Sequence, residues 1–118
     1  MKAGQIVMVD WRDALPGSGE PNKQRPAVVV GSPRFFDGGI PFEIVVPLTG
    51  EDALALVGAS LRILPAPGNG CTKPCYALAW NVQTVPHRRI AETASHVTRE
   101  ELARIRAQVV ACVEATST

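Results

Sequence analysis

Apolar and polar positions divide the chain into short extended segments followed by one helix. GQIVMVDW (4–11) opens on a glycine and carries β-branched side chains, which predicts a first strand. RDALPGSGEPNKQ (12–24) is dense in turn-forming residues and reads as a long loop, a feature that in compact domains usually serves function. PAVVVGS (26–32) is continuously apolar at its centre, as expected of a short strand covered on both faces. PRFFDGGIPF (33–42) contains an Asp-Gly-Gly hairpin signal, and EIVVPLT (43–49) is its return strand. GEDALALVG (50–58) reads as a helical turn or an irregular link, ASLRILP (59–65) as another strand, and APGNGCTKP (66–74) as a breaker-rich loop.

CYALAWNVQTVP (75–86) is the longest predicted strand. Its alternation places Tyr76, Leu78, Trp80, Val82 and Thr84 on one face, and Ala77, Ala79, Asn81, Gln83 and Val85 on the other. The last element is a helix within VTREELARIRAQVVACV (97–113). Thr98 and Glu101 have the spacing of a capping box, and Leu102, Ile105, Val109 and Cys112/Val113 recur at helical spacing. About five or six short strands and one helix predict a mainly β (α+β) fold, a small β-barrel with a C-terminal helix.

Composition narrows this picture. The chain has 118 residues, 46% apolar and 19% charged, which suits a single globular domain over 1–118. Only 5% are aromatic, so the core must be built of Val, Leu, Ile and Ala. Twelve basic against eleven acidic residues leave a net charge of +1, too little for sequence-blind duplex binding but compatible with a few arginines serving one phosphodiester. The opening apolar run is interrupted by Asp10 too soon for a signal peptide, and no stretch approaches a membrane span, so the expected location is the cytoplasm.

The three cysteines, Cys71, Cys75 and Cys112, read as free thiols in a reducing compartment. CTKPC (71–75) invites a zinc reading, but a structural zinc site usually has four ligands. No second Cys/His pair stands at suitable spacing, and His87 and His96 are scattered. No metal and no cofactor are expected.

Candidate chemistry lies at strand ends and in loops: Glu20, Lys23, Gln24 and Arg25, then Ser32 and Arg34, Thr49, and the amides Asn81 and Gln83. Singly, each has a structural explanation. An arginine before a strand is usually a solvated edge charge, a threonine at a strand end a turn hydroxyl, and an exposed loop ion pair is worth under about 1 kcal/mol.

Order and spacing carry more. GQIVMVDW, GSGEPNKQRPAVVVGS, IVVPLT, YALAWNVQTVPHRRI and VTREELARIRAQV together resemble the MazF/PemK (Kid-like) mRNA interferases of bacterial toxin–antitoxin systems, over residues 4 to about 109. The resemblance implies an SH3-like barrel of five to seven strands that pairs as a homodimer. It implies metal-independent, sequence-selective cutting of single-stranded RNA, leaving a 2′,3′-cyclic phosphate and a 5′-hydroxyl. It places the family's catalytic Arg and Thr on Arg25 and Thr49, with the loop glutamate at Glu20. It also implies a cognate MazE-like antitoxin with an acidic segment lying across the RNA groove.

RNA contacts are expected from Lys23, Gln24, Ser32, Arg34, Asn81 and Gln83, since amides read base edges and cations hold phosphates. Related members often carry an acidic residue and Gln where this chain has Trp80 and Asn81, which bears on the RNA sequence recognised. Two other classes compete. CcdB-like gyrase poisons need a C-terminal Trp-Gly-Ile, which VVACVEATST lacks, and SH3-like modules for Pro-rich ligands display more aromatic side chains.

Overall fold

A computed structural model describes residues 1–11, 24–36 and 38–114. The loop predicted over 12–24 falls outside the described residues except for Gln24, and so do Glu20, Lys23 and the Asp of the Asp-Gly-Gly signal.

Among the described residues the fold has seven strands and one long helix: β1 (Gln5–Asp10), β2 (Gln24–Val29), β3 (Phe42–Thr49), β4 (Leu61–Ile63), β5 (Cys75–Ala77), β6 (Gln83–Pro86), β7 (Ile90–His96) and α2 (Arg99–Val113). A four-residue helical turn, α1 (Pro33–Phe36), stands between β2 and β3. The sheet runs β4-β5-β3-β2-β1-β7, with β6 also paired to β3, and these strands pair antiparallel. The mainly β class with a C-terminal helix is therefore present. The barrel-like description holds only loosely, because among the described residues β4 and β7 end the strand path without pairing to each other.

Period-two side-chain placement explains the core. Ile6, Val28, Val46 and Leu48 point to one face, where they meet Leu61, Ile63, Ala77, Val97 and Ile105 of α2. Val7, Val9, Ala27, Val29 and Val45 point to the other, with Trp11 and Val85. β2 is thus covered on both faces, as its unbroken apolar run predicts, although it begins at Gln24 rather than at Pro26.

The predicted strand 75–86 is not one strand. β5 pairs Tyr76 with Thr49 and Ala77 with Leu48, while β6 pairs Gln83 with Val45 and Pro86 with Phe42. The two registers along β3 differ by three residues, and a 3₁₀ turn at Ala79–Asn81 takes up the excess. The Asn81 and Val82 N–H groups donate to Leu78 and Ala79 carbonyls at 2.9 and 3.3 Å. Trp80 leaves the sheet there, its indole N–H donating to the Leu54 carbonyl at 2.9 Å. The alternation predicted for this segment therefore fails after Ala77.

α2 opens on the predicted capping box. Thr98 Oγ1 accepts from Glu101 N at 3.0 Å, and Glu101 Oε1 accepts from Thr98 N at 2.9 Å. Ile105 is fully buried, Leu102 and Val109 are half-buried, and Cys112 and Val113 are exposed, so the apolar stripe ends a turn before the helix does. Arg106 ties α2 to the end of β2, donating to the carbonyls of Val30 at 2.9 Å and Gly31 at 3.3 Å. Among the described residues, no helix is long and apolar enough to cross a membrane.

Candidate active site

β2 and β3 are paired through Ala27 with Pro47, Val28 with Val46 and Val29 with Val45. Carried two residues towards the start of β2, that register sets Arg25 opposite Thr49. The hydrogen-bonded ladder ends before that pair, since Pro26 has no N–H to donate. Pro26 also biases Arg25 towards an extended backbone, and β1 supports it by pairing Val9 with Arg25. A motif residue at the start of one strand and another at the end of the next thus become cross-strand neighbours.

Both line a cavity of about 460 Å³ at this end of the sheet, together with Gln24. Arg25 is half-buried, its guanidinium mounted on a strand that is core from Ala27 onward. Thr49 Oγ1 accepts a hydrogen bond from Glu51 N at 3.2 Å, which leaves the hydroxyl hydrogen available to donate. Leu48, Ile6 and Met8 give the cavity an apolar side, where an ionic hydrogen bond is stronger than in water.

The rest of the lining consists of residues that the sequence did not single out as site residues. Thr93 and Ser95 come from β7, which the apolar pattern did not reveal. Gln5 pairs with His96 and Val7 with Glu92, so β7 holds two more residues than β1 over this stretch. This bulge turns Thr93 and Ser95 to the cavity. Gln5 Nε2 donates to the Thr93 carbonyl at 2.9 Å, Thr93 Oγ1 donates to the Ile6 carbonyl, and Ser95 N donates to Thr93 Oγ1 at 3.1 Å.

Thr72 and Lys73, with Cys71 of the same loop and Cys75 at the start of β5, add to the lining. Cys71 and Cys75 are free, with sulfurs 3.8 Å apart. Burial, reinforced by Cys71, pushes the Cys75 thiol up to about 12, so it stays protonated near neutrality. Among the described residues, no group of three or more His, Cys, Asp and Glu stands close enough to hold a metal ion.

The remaining candidates lie elsewhere. Ser32 and Arg34 sit past the opposite end of β2 and do not line the cavity. Ser32 Oγ accepts from Arg34 N at 3.2 Å, and its carbonyl accepts from Phe35 and Phe36, so it organises α1. Asn81 and Gln83 do not share a strand face as predicted. They bond to each other, Gln83 Nε2 donating to Asn81 Oδ1 at 3.0 Å, beside the half of β3 remote from Thr49.

Comparison with known proteins follows the same lines. The structure of MazF from Deinococcus radiodurans superposes with a TM-score of 0.72 at 23% identity, covering 98% of this chain and 97% of that one. An endoribonuclease from a mycobacterial species, solved with its cognate antitoxin, gives 0.71 at 16% identity, covering 100% and 99%. A MazE-MazF complex from Deinococcus radiodurans gives 0.70 at 22% identity, covering 98% of each chain. At these identities the likeness is one of fold. Among curated protein sequences there is no match. The family described as PemK-like, MazF-like toxin of type II toxin–antitoxin system matches residues 2–113, and the chain belongs to that family.

Proposed function

We propose that this protein is an endoribonuclease toxin that cuts single-stranded RNA in the cytoplasm without a metal ion. The observation that carries the reading is the convergence of Arg25 and Thr49, far apart in sequence, on one cavity. RNA contains its own nucleophile, the 2′-hydroxyl, so the protein needs no nucleophilic side chain. The barrier lies in the charge that gathers on the phosphoryl oxygens as the 2′-oxygen attacks and the 5′-oxygen leaves. A guanidinium offers paired donors in a plane to that charge and keeps its proton throughout. The Thr49 hydroxyl adds a further donor, turned outward by its bond from Glu51 N. The products are a 2′,3′-cyclic phosphate and a 5′-hydroxyl. Glu20 is assigned the task of orienting Arg25.

Neither His87 nor His96 lines the cavity, so a histidine acid–base pair plays no part in this scheme. Base selectivity is assigned to Gln24 and Lys23 beside Arg25, with Asn81 and Gln83 as an outlying amide pair. Ser32 and Arg34 would reach RNA only along an extended strand. The protein acts as a homodimer and is silenced by a cognate antitoxin whose acidic segment competes for the cavity. One structural relative above was solved with its cognate antitoxin and another as a MazE-MazF complex.

The test is incubation of the purified protein with single-stranded RNA of mixed sequence in EDTA, followed by analysis of the ends. Cyclic phosphate and 5′-hydroxyl termini are expected. RNA left intact across many sequences would sink the nuclease reading.

A further inference from the structure

We propose that Lys73 is a second phosphate-binding residue of the Arg25–Thr49 cavity and holds the RNA backbone beside the group being cut. This rests on the ribonuclease reading above. It adds a residue from the loop joining β4 and β5, which the motifs did not single out.

Lys73 lines the same cavity as Arg25 and Thr49. Its chain lies over the residue that follows Thr49. Cε and Nζ stand 3.5 and 3.7 Å from the point that a Cβ on Gly50 would occupy. The ammonium is thus one residue from the Thr49 hydroxyl. No carboxylate forms an ion pair with Lys73 or Arg25 among the described residues, where the only ion pair joins the Met1 amine to Glu92 at 3.4 Å. In a chain of net charge +1, two cations with no carboxylate partner among the described residues line one cavity with an apolar side and make a local anion site.

The loop that carries Lys73 is firmly held. Asn69 is 5% exposed, accepts from Ala66 N at 3.2 Å and Cys71 N at 2.9 Å, and donates to the Leu64 carbonyl at 2.9 Å. His96 N donates to the Gly68 carbonyl at 2.8 Å, anchoring the loop to β7. At Gly70, φ is +69° and a Cβ would stand 2.6 Å from Ser95 Oγ, so only glycine lets the loop lie this close. Pro74 biases Lys73 towards an extended backbone, as Pro26 does for Arg25. The loop backbone therefore holds Lys73 at the cavity, with its exposed side chain free to reach a phosphate.

The experiment measures affinity for fully 2′-O-methylated single-stranded RNA, which lacks the nucleophile, over a range of salt, with cleavage of ordinary RNA followed in parallel. Wild type, K73A and K73R are compared as full-length chains, with thermal midpoints as the folding control. K73A is expected to bind about tenfold more weakly or worse, equally across sequences. Its log–log salt slope should be shallower by about 0.7, the loss of one single-strand phosphate contact. K73R should retain most of the affinity and the full slope. If wild type binds and cuts while K73A matches it in affinity and slope, Lys73 is not a phosphate ligand and the nuclease reading stands. A loss confined to particular sequences with an unchanged slope would also overturn the assignment, in favour of base reading. A wild-type protein that neither binds nor cuts overturns both.

Discussion

At the scale of single residues, the account rests on groups held in place by strand pairing. Thr49→Val removes the one hydroxyl donor with almost no change in shape. It should slow cleavage by about a hundredfold or more under single-turnover conditions, whereas Thr49→Ser keeps most of the rate. Fold loss is not the expected cause, because among the described residues that hydroxyl bonds to the N–H of exposed Glu51 alone. Cys75 makes a different prediction. Its neutral thiol is favoured in the fold, so the unfolded chain ionises first, near the ordinary 9.0. Stability should therefore be complete below that pH and fall as pH climbs from about 9 towards about 12. Urea unfolding at rising pH checks this, with Cys75→Ala expected to show a shallower decline. Arg25 and Thr49 were legible in the sequence because each lies in a short local motif, Arg-Pro before an apolar run and Pro-Leu-Thr at its end. Lys73, Thr93 and Ser95 were not, because only the β1–β7 bulge and the loop fold bring them to the same place.

At the scale of elements, the helix and the central strands followed from patterning, while the segment after Pro74 did not. α2 was legible because its capping box and its apolar spacing are both local signals. Thr98→Ala should cost about 1 kcal/mol in chemical denaturation, the usual loss for a cap of this kind. β7 was missed because its inward positions include Thr93 and Ser95 rather than aliphatic residues, so no apolar alternation marks it. The strand over 75–86 was drawn too long because period-two alternation continues through the 3₁₀ turn, which is imposed by the two registers on β3. The junction of β2 and β3 contains a tighter constraint. A Cβ on Gly31 would stand 2.0 Å from Glu43 Oε1 and 3.0 Å from Phe36 Cδ2. Glu43 is 2% exposed and its Oε1 accepts from Ile44 N at 2.9 Å, so the carboxylate has little room to retreat. Gly31→Ala should destabilise the fold by about 1–3 kcal/mol in the same assay, leaving the Arg25–Thr49 cavity at the far end of β2 intact.

At the scale of the whole molecule, a seven-stranded sheet of the described residues carries apolar layers on both faces and, at one end, a cavity that Arg25, Thr49 and Lys73 line. The fold class and the family are readable from the sequence, because motif blocks spread over nearly the full chain agree with one another. Closure of the sheet was not readable, since it depends on how the edge strands meet rather than on local pattern. The central claim is that Arg25, set opposite Thr49, carries RNA cleavage. The most direct test is the single-turnover cleavage rate of Arg25→Ala against wild type on the same RNA in EDTA, with circular dichroism confirming that the variant is folded. The account predicts cutting by wild type and none detectable by the folded variant. A folded Arg25→Ala protein that cuts at the wild-type rate would contradict it.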